Sequence, residues 1–281
     1  QHANILVNHS TNINKGDFVV VSAHPESIEL VEEIYALLGE KGAIPHLHMK
    51  QPEAMNRYYN NINKNDLIES QHTKSLWEKA DASIAIRGGS NTKSMSSVNP
   101  EMRNKNSKIN NDLREARLDT RWVLTQHPTS SNAQEADMST KEYADFVYDA
   151  IIKDWDQQKE FQSDMEKLLQ NGEKVRIVSG DETDLEMSIN GMNALNDYGK
   201  HNMPAGEVFT APVKNSVNGS VLFDMPLLTH GHELKNVYLE FENGRVTDYS
   251  ASKNEQVIKS ILETDDGAKY LGELGIGMNR G

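Results

Sequence analysis

Asp17-Phe18-Val19-Val20-Val21-Ser22-Ala23 is an apolar, β-branched run entered from Lys15-Gly16 and left through His24-Pro25. That composition predicts a buried strand. Pro25 then opens a helix, because a proline fits the first helical turn, where its missing N–H has no partner to lose. Ile28, Val31, Ile34 and Leu38 recur at helical spacing, while Glu29, Glu32 and Glu33 fall off that stripe. Gly39 and Gly42 end the helix, and residues 43–48 make a second strand.

The same alternation extends outward. Asp81-Ala82-Ser83-Ile84-Ala85-Ile86-Arg87 and Thr120-Arg121-Trp122-Val123-Leu124-Thr125 read as further strands. Leu67, Ile68, Leu76 and Trp77 suggest a helix running to Ala80, and residues 113–118 another. Ile5 to Val7, with Ile13, offers a short opening helix, whereas residues 56–65 have little periodicity and 94–106 read as a polar loop. Strands alternating with helices predict an α/β domain with a mostly parallel sheet.

The pattern then changes. Residues 140–169 read as a long helix broken near Lys153-Asp154-Trp155, with Phe146, Ala150 and Lys153 on one face and Phe161, Met165 and Leu168 on another. Asn171-Gly172 caps its end. The domain boundary is placed along this helix, giving an α/β domain over 1–160 and an α+β domain over 161–281. Asn-Gly follows or interrupts alternating segments three times, at Asn190-Gly191, Asn218-Gly219 and Asn243-Gly244. Asn-Gly suits a type I′ turn, which needs φ > 0 at both central positions. Three of them predict antiparallel hairpins in the second domain. Residues 254–262 and 268–274 read as its helices.

The formal net charge of −13 argues against nucleic acid or anionic membrane surfaces as partners. There are no cysteines, so disulfides, thiolate metal sites and Cys nucleophiles are excluded. No stretch approaches the roughly 20 apolar residues of a membrane span, and the start shows no signal peptide. A cytoplasmic protein is the expectation.

Asn202-Met203-Pro204-Ala205-Gly206-Glu207-Val208-Phe209-Thr210-Ala211-Pro212 stands apart. Pro fixes φ and Gly admits backbone shapes closed to other residues, so together they can aim one carboxylate. A metal ligand needs such aiming. An ordinary turn leading into a strand with a surface Glu fits the same residues.

This segment resembles the signature of the metallo-aminopeptidase family typified by aminopeptidases T and S. Two more stretches are similar to that family and come in its order: Glu240-Phe241-Glu242-Asn243-Gly244-Arg245-Val246 and Leu271-Gly272-Glu273-Leu274-Gly275-Ile276-Gly277-Met278-Asn279. In the N-terminal half the best matches are Gln126-His127-Pro128-Thr129 and Tyr143-Ala144-Asp145-Phe146-Val147. The resemblance implies that Glu207 binds one of two divalent metal ions (zinc, cobalt or magnesium-type) and that Glu273 bridges both. It further implies removal of N-terminal residues from peptide substrates by a metal-activated water, in a homodimer that encloses its active site. The family draws its other ligands and a catalytic Tyr from beyond the second Glu signature, and Gly281 lies eight positions past Glu273. The expectation is therefore an incomplete fragment that binds metal weakly and does not turn over peptide. The competing expectation is a non-catalytic binding or assembly module in which Glu207 is structural and Glu273 a solvent-exposed helix residue.

Other groups read more plainly. His230-Gly231-His232 would chelate only from a strand and otherwise suits an exposed turn. His201 is a candidate to support the signature or a surface residue, and His24, His46, His48 and His127 are rim residues of the first domain. Gly88-Gly89-Ser90-Asn91 follows a strand but lacks the spacing of a nucleotide-binding loop. Trp77, Trp122 and Trp155 read as packing residues.

Overall fold

A computed structural model describes residues 1–229 and 232–281. The chain divides into two compact units. The first holds Gln1–Gln158, Asp197–Gly206 and Asn279–Gly281; the second holds Lys159–Asn196 and Glu207–Met278.

In the first unit, β1 (Phe18–Ala23), β2 (Ile44–Met49), β3 (Ala82–Arg87) and β4 (Arg121–Gln126) form a parallel sheet in the order β2-β1-β3-β4. A two-residue strand, Asn202–Met203, extends it in parallel at the β4 edge. Five consecutive residues are buried in both β1 and β3, as a sheet covered on two faces requires. Helix Ile28–Lys41 lays Val31, Ile34 and Leu38 against this sheet and stops at Gly42, whose φ of 69° is left-handed.

Two helices replace the irregular stretches that the sequence predicts. Pro52–Asn61 buries no residue and Pro100–Ile109 buries only Met102, so neither carries an apolar stripe for periodicity to detect. End chemistry starts them instead. Each has Pro in its first turn, and the Asn99 side chain accepts the backbone N–H of Glu101. A further helix, Gln71–Glu78, begins after Leu67 because Ser70 caps it by accepting the Thr73 N–H. The opening helix continues past His2–Asn4 as a π-helix over Ile5–Ser10.

The 140–169 helix is two helices, Thr140–Ile151 and Trp155–Asn171. Their buried faces are shifted from the predicted ones. Val147, Ala150 and Ile151 are buried on the first, whereas Phe146 is exposed. On the second, Trp155, Gln162 and Leu169 are buried at heptad spacing, while Phe161 and Leu168 are exposed. A glutamine occupies the inward position, which an apolar count passes over.

The second unit is built on β5 (Lys174–Ser179), β6 (Thr183–Ser188), β7 (Leu195–Asp197), β9 (Glu207–Thr210), β10 (Asn218–Phe223), β11 (Leu227–Thr229), β12 (His232–Leu234), β13 (Val237–Glu242), β14 (Arg245–Ser250) and β15 (Leu274–Gly277), with Asn202–Met203 counted as β8. One antiparallel sheet runs β14-β13-β10-β6-β5, a second runs β15-β9-β7, and β11 pairs with β12. Leu185, Met187, Val208, Phe241, Val257 and Leu274 are among its core residues.

The antiparallel sheet is as expected, but only one Asn-Gly makes a hairpin. Asn243 (φ 51°) and Gly244 (φ 84°) join β13 to β14 with both residues left-handed. Asn190-Gly191 instead leads from β6 toward the other sheet, and Asn218-Gly219 lies inside β10. The β5–β6 hairpin turns at Gly180, with φ 57°. Helix Glu255–Leu262 forms as expected, but no helix forms over 268–274. Gly272 weakens a helix there, and Leu274 instead opens β15. Among the described residues no helix is long and apolar enough to cross a membrane.

Candidate metal centre

The Asn202–Glu207 signature leaves the parallel sheet as a pinned loop. The Met203-Pro204 peptide is cis. Gly206 has φ 110°, and a Cβ there would sit 2.6 Å from that of Asn279, so both backbone shape and space call for glycine. The Gly206 N–H donates to the Asp197 carbonyl at 3.1 Å, and its own carbonyl accepts the Asn279 N–H at 3.0 Å. The Asn279 side chain donates to the carbonyls of Ala205 at 2.7 Å and Ala150 at 2.9 Å. Burial pushes the Asp197 carboxyl up from its ordinary range, against the opposing effect of the Gly199 N–H.

Glu207 opens β9, whose burial alternates. Val208 and Thr210 are buried, and Glu207 and Phe209 are half-buried. β9 pairs antiparallel with β15 in the register Glu207↔Gly277 and Phe209↔Gly275. Residues directly opposite share a face, so Glu207, Phe209, Gly275 and Gly277 lie on one side of the ribbon. Glu273, two positions before Gly275, follows the same period.

The two carboxylates meet over Gly275. A Cβ on that glycine would stand 2.9 Å from Glu207 Oε2 and 4.0 Å from Glu273 Oε1, with no other atom outside its neighbours within 4 Å. Glu207 is opposite position 277, so the two side chains lean toward position 275 from either side. The missing side chain makes room for both oxygens. Carboxylates that converge on one notch are the donor type that can share a divalent cation.

Buried Gln162 fixes the backbone beneath Glu207. Its Nε2 donates to the Glu207 carbonyl at 3.1 Å and to Asn196 Oδ1 at 2.7 Å. The Asn196 amide in turn donates to Glu166 Oε2 at 3.2 Å and the Lys159 carbonyl at 3.1 Å. Sequence reading missed this residue. Its signal is a polar side chain seven positions from both Trp155 and Leu169, on the inward stripe of one helix.

The donor chemistry fits part of a metal centre. Carboxylates suit hard or borderline divalent ions and can bridge two of them. Among the described residues, however, no three His, Cys, Asp or Glu side chains come together as a metal-binding group. Zinc usually takes about four ligands, so this pair does not complete a coordination sphere.

The histidines lie elsewhere. His201 is exposed and packs its ring on Trp122, centroids 4.7 Å apart. His24 and His127 directly follow β1 and β4, and His46 and His48 are within β2. His230 and Gly231 lie outside the described residues. Trp77 and Trp155 are buried, and Trp122 is half-buried.

A model of the family described as thermophilic metalloprotease (M29) matches residues 1–281. Aminopeptidase AmpS of Bacillus subtilis (strain 168) is 43% identical over 89 residues, which are 31% of this chain and 22% of that protein. Aminopeptidase PepS of Streptococcus thermophilus is 24% identical over an alignment covering 98% of this chain and 75% of that one. Wild-type AmpT from Thermus thermophilus superposes with a TM-score of 0.83 at 21% identity, over 98% of this chain and 77% of that chain, which shows a shared fold. The chain thus matches only about a fifth of the length of the Bacillus subtilis relative.

Proposed function

The chain belongs to the thermophilic metalloprotease (M29) family, and from that premise we propose a metal-dependent aminopeptidase whose ligands here are Glu207 and Glu273. The convergence of these carboxylates over Gly275 carries the proposal. The aminopeptidase names of the matched relatives support the reaction, removal of N-terminal residues from peptides.

Glu207 would hold one of two divalent ions and Glu273 would lie between both. When bound, such ions supply Lewis acidity to a scissile carbonyl and to water. Gly275 leaves the notch open. Gln162 holds the β9 backbone where the Glu207 side chain begins. Among the described residues these two carboxylates alone leave the coordination spheres short, and the proposal is that this chain binds metal weakly and does not turn over peptide by itself. That donor shortage also favours the second reading, a non-catalytic module. The proposal retains a homodimer in the cytoplasm, and sedimentation and cell fractionation test those two features.

The deciding experiment titrates zinc, cobalt and magnesium into the chain and into its E207Q/E273Q variant. Unblocked and N-acetylated peptides are assayed in parallel, with AmpS as the positive control. The proposal expects metal binding that the double variant loses, and no turnover by the chain. Equal metal binding by the double variant overturns the ligand assignment. Release of N-terminal residues at a rate like that of AmpS overturns the inactivity of the chain while upholding the reaction.

A further inference from the structure

The first unit contains a cavity of about 920 Å³ at the carboxyl ends of β1 and β2. In open parallel sheets, ligands bind outside the carboxyl ends of strands near the point where the strand order reverses. The order β2-β1-β3-β4 reverses at β1, and His24, the residue after β1, lines the cavity.

The lining has a consistent sign. It includes Lys50, Arg103, His24 and His48, and no carboxylate is among the described lining residues. This contrasts with a chain whose net charge is −13. The side chains of Lys50 and Arg103 form neither a hydrogen bond nor an ion pair with the described residues. Lys50 is largely desolvated, and Arg117 and Arg87 act on it as further positive charges, so its ammonium is pushed below the ordinary range. A half-buried cation with other cations acting on it is costly unless something negative joins it. Glu26 and Glu53 act on His24 and do not line the cavity, and neither does Glu69, which lies between lining residues Ile68 and Ser70 and pairs with Lys74 at 3.6 Å.

Two helix starts add to the same field. Gln51 and Pro52 begin helix Pro52–Asn61, Ser70 and Thr73 begin helix Gln71–Glu78, and all four line the cavity. Helix N-termini present partial positive charge and free N–H groups. The remaining wall is apolar and aromatic, with Met49, Met55, Tyr58, Tyr59 and Leu67.

We propose that this cavity binds an organic anion, a carboxylate or phosphate carried on an aromatic or apolar body. Lys50 and Arg103 neutralise the anionic group, and Tyr58, Tyr59 and the methionines pack against the body. This site is independent of the Glu207–Glu273 pair, and its test uses no metal and no peptide.

The test is calorimetric titration of the full chain with phenyl phosphate, phenylacetate and uncharged benzyl alcohol. Binding of either anion, with benzyl alcohol at least about tenfold weaker, is the expected result. K50Q and R103Q each weaken the anion by about tenfold, the scale of a lost charge-assisted hydrogen bond. Unchanged thermal melting of the ligand-free variants separates loss of the site from loss of the fold; where one variant melts early, the other carries the test. Phenyl phosphate against phenylacetate identifies which anionic group the site prefers. No binding of either anion, equal binding of benzyl alcohol, or unchanged affinity in a folded K50Q/R103Q double variant overturns the proposal.

Discussion

Gly275 stands where any side chain would strike Glu207, its absent Cβ falling 2.9 Å from Oε2. The position needs no left-handed backbone, so glycine is not required there for conformation. Alanine in a strand avoids the extra entropy glycine loses on folding, worth about 0.5–1 kcal/mol. G275A is therefore expected to keep or slightly raise thermal stability. It should weaken metal binding by about 10- to 100-fold, the usual effect of disturbing the surroundings of a ligand. Calorimetry of zinc or cobalt binding beside a melting curve checks both halves. A stable G275A that binds metal as the parent does would contradict the account.

The two carboxylates differ in how they are held. Glu207 starts a strand whose backbone is fixed by pairing with Gly277 and by Gln162. Glu273 is exposed, precedes its strand and follows Gly272. Shortening either side chain withdraws its oxygens by about 1.5 Å, one carbon–carbon bond. The pinned strand at 207 cannot follow, whereas the segment at 273 can. E207D should thus lose more metal affinity than E273D, and the ratio of their dissociation constants is the measurement. Equal losses would mean that backbone restraint does not distinguish the two.

Gln162 is buried and donates to two acceptors, so replacing it leaves both without that donor. Q162L should destabilise the fold by about 1–3 kcal/mol, the scale of a buried polar group left unsatisfied, since both acceptors it abandons are only partly buried. Q162E should be worse at neutral pH, because an ionised carboxylate cannot donate and would face the Glu207 and Asn196 oxygens. Acidification should narrow the gap between Q162E and Q162L as the new carboxyl protonates. Urea denaturation at two pH values follows this directly, and identical curves for the two variants at neutral pH would exclude the donor role.

Local chemistry made much of the fold legible. β1 and β3 are buried on both faces, so their apolar runs announce a parallel sheet. The antiparallel second unit was readable through Asn243-Gly244, where turn chemistry and pairing agree. Asn190-Gly191 and Asn218-Gly219 misled because a permissive backbone serves other ends. Gly219 sits within β10 at φ 106° with its backbone against the Asp184 carbonyl, a contact between segments distant in sequence. Helices Pro52–Asn61 and Pro100–Ile109 were hidden because they bury almost nothing. At the candidate site, the motif pointed to Glu207 and Glu273. What brings them together is the register of β9 on β15 and an empty position at Gly275, which depend on pairing across the chain.

His2 is buried, and its Nε2 bonds the Thr125 hydroxyl at 2.8 Å while Nδ1 is buried with no hydrogen-bond partner among the described residues. Burial first, then His127, lower its pKa from 6.5 to about 4. A group whose pKa is depressed on folding takes up protons more readily in the unfolded chain. Its contribution is thus fully present above the unfolded value of 6.5 and is lost as pH falls toward about 4. The loss is at most about 3.5 kcal/mol, from about 1.4 kcal/mol for each pKa unit. His9, His24, His48 and His127 are also pushed down by burial, so they share the decline. H2Q keeps an amide able to bond Thr125 but cannot titrate. Denaturant unfolding between pH 7 and pH 4 should therefore show a shallower fall for H2Q than for the parent, with the curves separating toward the acid end. Parallel curves across that range would show that His2 protonation is not coupled to folding.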